Sequence, residues 1–152
     1  MADVETIKEF ANLGFMRLER ATSDLTEEQL DWQSCREANT IRWILTHLNS
    51  EFFGFIPKIV SGNKDLESEL PEDYVGNMEY SLEKIMGDLE KGKIKLMGML
   101  DDLDNEDLDE EMEWFFGKRT KGFYLMLAVS EIVHHEGQIA AILGVEKRMK
   151  GT

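Results

Sequence analysis

Leucine returns every seventh residue at positions 82, 89, 96 and 103, with Ile85, Met86, Met99 and Leu100 between. A seven-residue return keeps apolar side chains on one helical face, so the stretch from Met78 predicts a long helix that needs partner helices. Its Gly87, Gly92 and Gly98 each weaken a helix by about 1 kcal/mol relative to Ala, so packing must hold it. With only 2 Pro in 152 residues, other long helices are unobstructed.

Three more helices are expected. Ile7, Phe10, Leu13, Gly14, Leu18 and Ala21 share one face of a helix from Val4 to about Thr22. Arg17 falls inside that stripe, either snorkelling to water or recognising an anionic ligand. Residues 23–38 form a packed connection anchored by Leu25, Leu30 and Trp32, in which Thr26 and Gln29 fit a capping box. Asn39 is placed to start a second helix, Thr40 to Val60, whose last turn Pro57 should loosen. Residues 62–77 mix turn formers and charge without periodicity and read as a loop. The last helix runs from Lys121 to Leu143, capped by Gly144. Its apolar residues spread around most of the circumference, which predicts burial on several sides and a homodimer. The expected fold is all-α: one domain, residues 1–152, built as an up-and-down four-helix bundle.

The remaining composition narrows the function. The formal charge of −14 repels phosphate, so no nucleic acid partner is expected. No apolar run reaches the roughly 20 residues of a membrane span, and the start lacks a secretory pattern, so a cytoplasmic protein without a membrane partner is expected. The single Cys35 reads as an incidental loop thiol. The acidic run from Asp101 to Glu113 lacks the glycine of a calcium loop and reads as solvated surface. Trp114, Phe115 and Phe116 follow it and must find cover in the core or as a pocket lid.

All three histidines, His47, His134 and His135, lie in apolar helices. Glu131 and His135 stand four apart and share a face with Tyr124 and Gln138, whereas His134 diverges from His135 by about 100°. His47 shares its face with Trp43, Ser50 and Glu51. Two imidazoles and a carboxylate brought together from these faces would suit a divalent transition metal; the same groups also form plain hydrogen bonds between helices.

The stretches LTEEQLDWQSCREANTIRWILTHL and HHEGQIAAILG resemble the DinB-like (YfiT-like) superfamily of four-helix bundles. The resemblance rests on Leu25, Leu30, Trp32, Asn39, Ile41, Trp43 and His47, then on His134, His135, Gly137, Gln138 and Ile139. It implies a metal triad with one histidine from the second helix and two from the fourth, in the pattern H-x-x-H-H-x-G-Q. His47 matches the first ligand and His135 the last, while Glu131 stands where the family has its middle histidine. His134 is then structural. The implied cofactor is a divalent metal (Ni, Zn, Fe or Mn), and the implied activity is attack by a low-molecular-weight thiol or water on a small electrophile. Glu51 would orient the nucleophile or take its proton, and Trp43 and Tyr124 would line the cleft. The alternative is a non-catalytic bundle, binding a small molecule or dimerising, with a degenerate site.

Overall fold

The computed structural model describes residues 2–151. Met1 and Thr152, the ends of the expected domain, lie outside the described residues. Helix α1 spans Val4–Thr22, opened by Asp3, whose carboxylate accepts the Thr6 N–H at 2.8 Å. The Thr26 N–H donates to Gln29 Oε1 at 2.9 Å, half of the expected capping box, and a single turn, Glu28–Asp31, follows.

Helix α2, Ile41–Ser50, is capped by Thr40 and not by Asn39: the Thr40 hydroxyl accepts the Trp43 N–H at 3.0 Å. Both residue types cap well, and the buried Ile41 decides which of them sits at the boundary. The rod continues through a π-helical segment, Glu51–Phe55, into α3, Ile56–Ser61. Pro57 causes this widening. It has no N–H for the Phe53 carbonyl, and its ring crowds that oxygen. The Ile56 N–H instead reaches back five residues to Glu51, and the Phe53 carbonyl accepts the Glu69 N–H at 3.3 Å. Pro57 therefore reshapes the turn before it, where the expectation was a loosened last turn.

Helix α4 spans Leu82–Asp101, with Leu103 just past its end. The connection that follows is not all loop. Strands β1, Glu111–Trp114, and β2, Gly117–Thr120, form an antiparallel hairpin with Trp114 paired to Gly117. Gly117 takes φ 75° at the turn, backbone that a side chain disfavours. The fold is thus mainly helical with a small sheet, a correction to the all-α expectation. Helix α5, Lys121–Lys150, runs two turns past the expected stop at Gly144. Buried Glu146 holds the extension, accepting Gln29 Nε2 at 3.2 Å and pairing with Lys150 at 3.2 Å.

The helix directions correct the topology as well. Gly14 meets Ile132 and Arg17 pairs with Glu136, so α1 and α5 run parallel. Asn49 bonds the Ile85 carbonyl and Phe52 meets Gly92, so α2 and α4 are also parallel. Lys8 pairs with Asp101 and Glu19 with Lys93, so α1 and α4 are antiparallel. The bundle is up-down-down-up, because residues 62–81 cross back along its whole length before α4 begins. The core is built from Ile7, Phe15 and Leu18 of α1, Leu48 and Phe52, Leu96 and Leu100, and Leu125, Val129 and Ile132. Arg17 leaves the stripe half-exposed and binds the buried Glu136 at 3.0 Å. Cys35 lies in the connection between helices, and its thiol is exposed. No helix among the described residues is long and apolar enough to cross a membrane.

Candidate metal centre

Helices α2 and α5 face one another in opposite directions, which brings the last turn of α2 against the middle of α5. His47 and His135 meet there edge to face, with ring centroids 4.9 Å apart. Glu51, the first residue of the π-helical segment, places Oε1 3.3 Å from His47 Nε2. Glu131 Oε2 lies 3.1 Å from His135 Nε2. One donor atom from each of the four side chains falls within 4.8 Å of all the others. Ligands at about 2.1 Å from one transition-metal ion stand about 3.4 Å apart when tetrahedral and about 4.2 Å when trans, so the cluster would close by about half an ångström to somewhat over one on taking up an ion.

The state of the donors supports the same use. Glu51 Oε2 and His135 Nε2 are buried without a hydrogen-bond partner among the described residues; His135 Nε2 is near Glu131 but poorly aligned with it. Buried polar atoms are nearly always satisfied, and two bare ones on members of one cluster fit a cation held there. Gln138 Oε1 lies 2.8 Å from His135 Nδ1. With that oxygen accepting, Nδ1 carries the ring proton and Nε2 presents its lone pair to the cluster. Trp43 stacks on His47 at 4.8 Å, nearly parallel, and fixes its ring plane. The hydrogen bond to Glu51 raises the His47 pKa above its ordinary value, and the charges of Glu51 and Glu131 add to this against the opposing effect of burial. Two nitrogens and two carboxylates suit iron, manganese, zinc or nickel, and the residues present fit such an ion. Side-chain exposures of 30% for His47 and 31% for Glu131 leave one side of the cluster open to solvent.

His47, Glu131 and His135 therefore come together, with Glu51 among them and Trp43 beside them. Tyr124 does not line this opening. It is fully buried, its hydroxyl donates to the Gly117 carbonyl at 2.7 Å and accepts the Phe116 N–H, and its position two turns before Glu131 makes it an anchor for the hairpin. His134 is exposed and touches the edge of His135. Sequence reasoning missed the role of Gln138 as the partner of His135 Nδ1, although their i, i+3 spacing announces it. It also missed Phe55, one turn past Glu51.

A four-helix bundle with a histidine and carboxylate cluster between its second and last rods defines a class of small candidate metalloproteins. Within that class, the family model described as the DinB superfamily matches residues 13–139, and the chain belongs to that superfamily. It is similar in fold to a conserved protein from Enterococcus faecalis, with 14% identity, a TM-score of 0.70, and 93% of this chain and 95% of that chain covered. A protein from Streptococcus pneumoniae is similar at 15% identity and a TM-score of 0.70, with 97% and 92% covered. None of the curated proteins matches the chain significantly in sequence.

Proposed function

We propose that this chain is a metal-dependent enzyme in which His47, Glu131 and His135 hold one divalent transition metal and a small thiol or water attacks a small electrophile. The observation that carries the reading is the convergence of His47, Glu51, Glu131 and His135, with His135 Nε2 buried and without a hydrogen-bond partner. A divalent ion held by these residues would lower the pKa of a thiol or water and so supply a nucleophile. Glu51, bonded to His47 through Oε1 and without a partner at Oε2, would take up the proton released. Trp43 and Gln138 hold the two imidazoles in place, which pre-pays the orientation that attack requires. Glu131 sits at the solvent side, where it replaces a neutral imidazole with a charge and biases the site toward harder metals such as iron and manganese.

Metal analysis of protein loaded with each of the four ions, then assayed with low-molecular-weight thiols and activated electrophiles, tests this. One ion per chain is expected, lost in His135→Ala and kept in His134→Ala. Glu51→Gln should keep the ion and lose turnover by about 10²-fold or more, the usual worth of a general base. A filled site with no turnover against any thiol or hydrolysable electrophile would replace the enzyme by a binding module. An unfilled site would end the metal reading itself.

A further inference from the structure

The hairpin lays two aromatic rings over Phe55, and the outer one, Phe115, is accounted for by neither the core nor the metal centre. Trp114 stacks on Phe55 at 4.7 Å and Phe115 stacks on Trp114 at 4.7 Å, with interplanar angles of 24° and 18°. Phe115 closes the set, 5.8 Å from Phe55, yet it is 69% exposed. It occupies a two-residue turn, a position that favours Asn, Asp, Gly or Ser, so local structure gives no reason for an aromatic there.

The position of the stack supplies one. Phe55 lies four residues past Glu51, about 6 Å along the rod, and Tyr124, which the Trp114 ring approaches at 6.0 Å, lies seven before Glu131. Both helices therefore carry cluster and stack along the same side, in the same order. Half-buried Leu127, one turn before Glu131, sits between them on α5. The stack thus stands about one turn of the rod beyond the cluster, and it presents flat apolar surface there.

We propose that the Phe55–Trp114–Phe115 stack is a specificity wall: the substrate of this site carries a planar apolar group that lies on these rings while its polar head reaches the metal centre. The inference rests on the metal reading above. Aromatic stacking contributes beyond area burial alone, so a phenyl substituent should gain about tenfold in affinity over a methyl group.

Benzohydroxamate and acetohydroxamate share one metal-binding head and differ in that substituent. Their binding to the metal-loaded protein is measured by calorimetry and corrected for their affinities for the free ion. The phenyl compound should bind about tenfold more tightly, and Phe115→Ala should bring the ratio to about threefold or less while acetohydroxamate affinity stays unchanged. Phe115 is exposed, so its replacement does not threaten folding. Phe116→Ala, which alters the turn residue facing Phe123, should keep the full ratio. Equal binding of the two compounds, or a ratio indifferent to Phe115→Ala, overturns the wall and leaves the metal reading intact. Failure of acetohydroxamate to bind metal-loaded protein more tightly than metal-free protein defeats the metal reading, and the wall with it.

Discussion

His47 is the residue at which pH should tell most on the candidate site, because a proton and a metal would compete for its imidazole. The Glu51 hydrogen bond raises its pKa, so the metal-free protein is stabilised by the protonated ring below the unfolded value of about 6.5. That contribution is lost as pH rises through the higher folded pKa. Metal binding has the opposite sense: affinity should climb with pH until the ring is neutral. In Glu51→Gln the carboxylate charge is gone and the remaining hydrogen bond is weaker, so the His47 midpoint followed by NMR in metal-free protein should move down. An unchanged midpoint would mean that Glu51 does not bond the ring in solution. The sequence placed His47, Glu131 and His135 in one site from helical spacing and resemblance, because i, i+4 geometry is local. It could not show that Tyr124, on the same face as His135, anchors the hairpin just before α5, because that stretch carried no expectation of a hairpin.

At the scale of elements, the three glycines of α4 look alike in sequence and differ in the folded protein. A Cβ on Gly92 would stand 2.7 Å from Phe52 Cδ2 and 3.0 Å from Phe52 Cβ, whereas Gly87 and Gly98 have no described atom within 4 Å. Gly87→Ala and Gly98→Ala should each stabilise by about 1 kcal/mol through helix propensity. Gly92→Ala gains the same propensity but drives Phe52 out of its place at a cost of about 1–3 kcal/mol, so the net change should be destabilising or nil. Denaturant unfolding of the three variants checks this, and equal stabilisation by all three would refute the close approach of α2 and α4. The heptad leucines revealed that α4 is a packed helix, but not which glycine touches its neighbour. The hairpin was legible in part: Glu111-Met112-Glu113-Trp114 alternates polar and apolar residues with the period of a strand. The weight of acidic residues around that short alternation conceals it, since four residues cannot outvote a charged run. The end of α5 was misplaced for a similar reason, because Gly144 is a good cap only where nothing beyond it packs.

For the whole molecule, the decisive feature is the crossover that lets α2 and α4 run parallel, and periodicity carries no record of it. Helical spacing fixes which face of a rod is buried and leaves its direction open, so an up-and-down bundle and this one share the same apolar pattern. The crossover is fastened by a residue that the sequence did not single out. Arg42 is 5% exposed, binds both Asp31 oxygens at 2.7 and 2.9 Å, and donates to the Asn77 carbonyl at 3.1 Å and to the Tyr80 carbonyl. One guanidinium thus ties the first connection to the end of the crossover, next to Trp43, the residue stacked on His47. Arg42→Met keeps much of the apolar stem but strands two carbonyls and one carboxylate, a loss of about 2–4 kcal/mol. At about 2–4 °C per kcal/mol for a protein of this size, Tm should fall by about 5–15 °C. Asp31→Asn should cost less, because the amide still offers one acceptor oxygen and Asp31 is partly exposed. Loosening here should also lower metal affinity in Arg42→Met while metal stoichiometry stays at one, since the crossover residue Gly76 packs against Trp43. A variant with unchanged Tm would show that the crossover is held by Tyr74 instead, whose hydroxyl joins Asn49 to Asp88 at 3.0 and 2.6 Å.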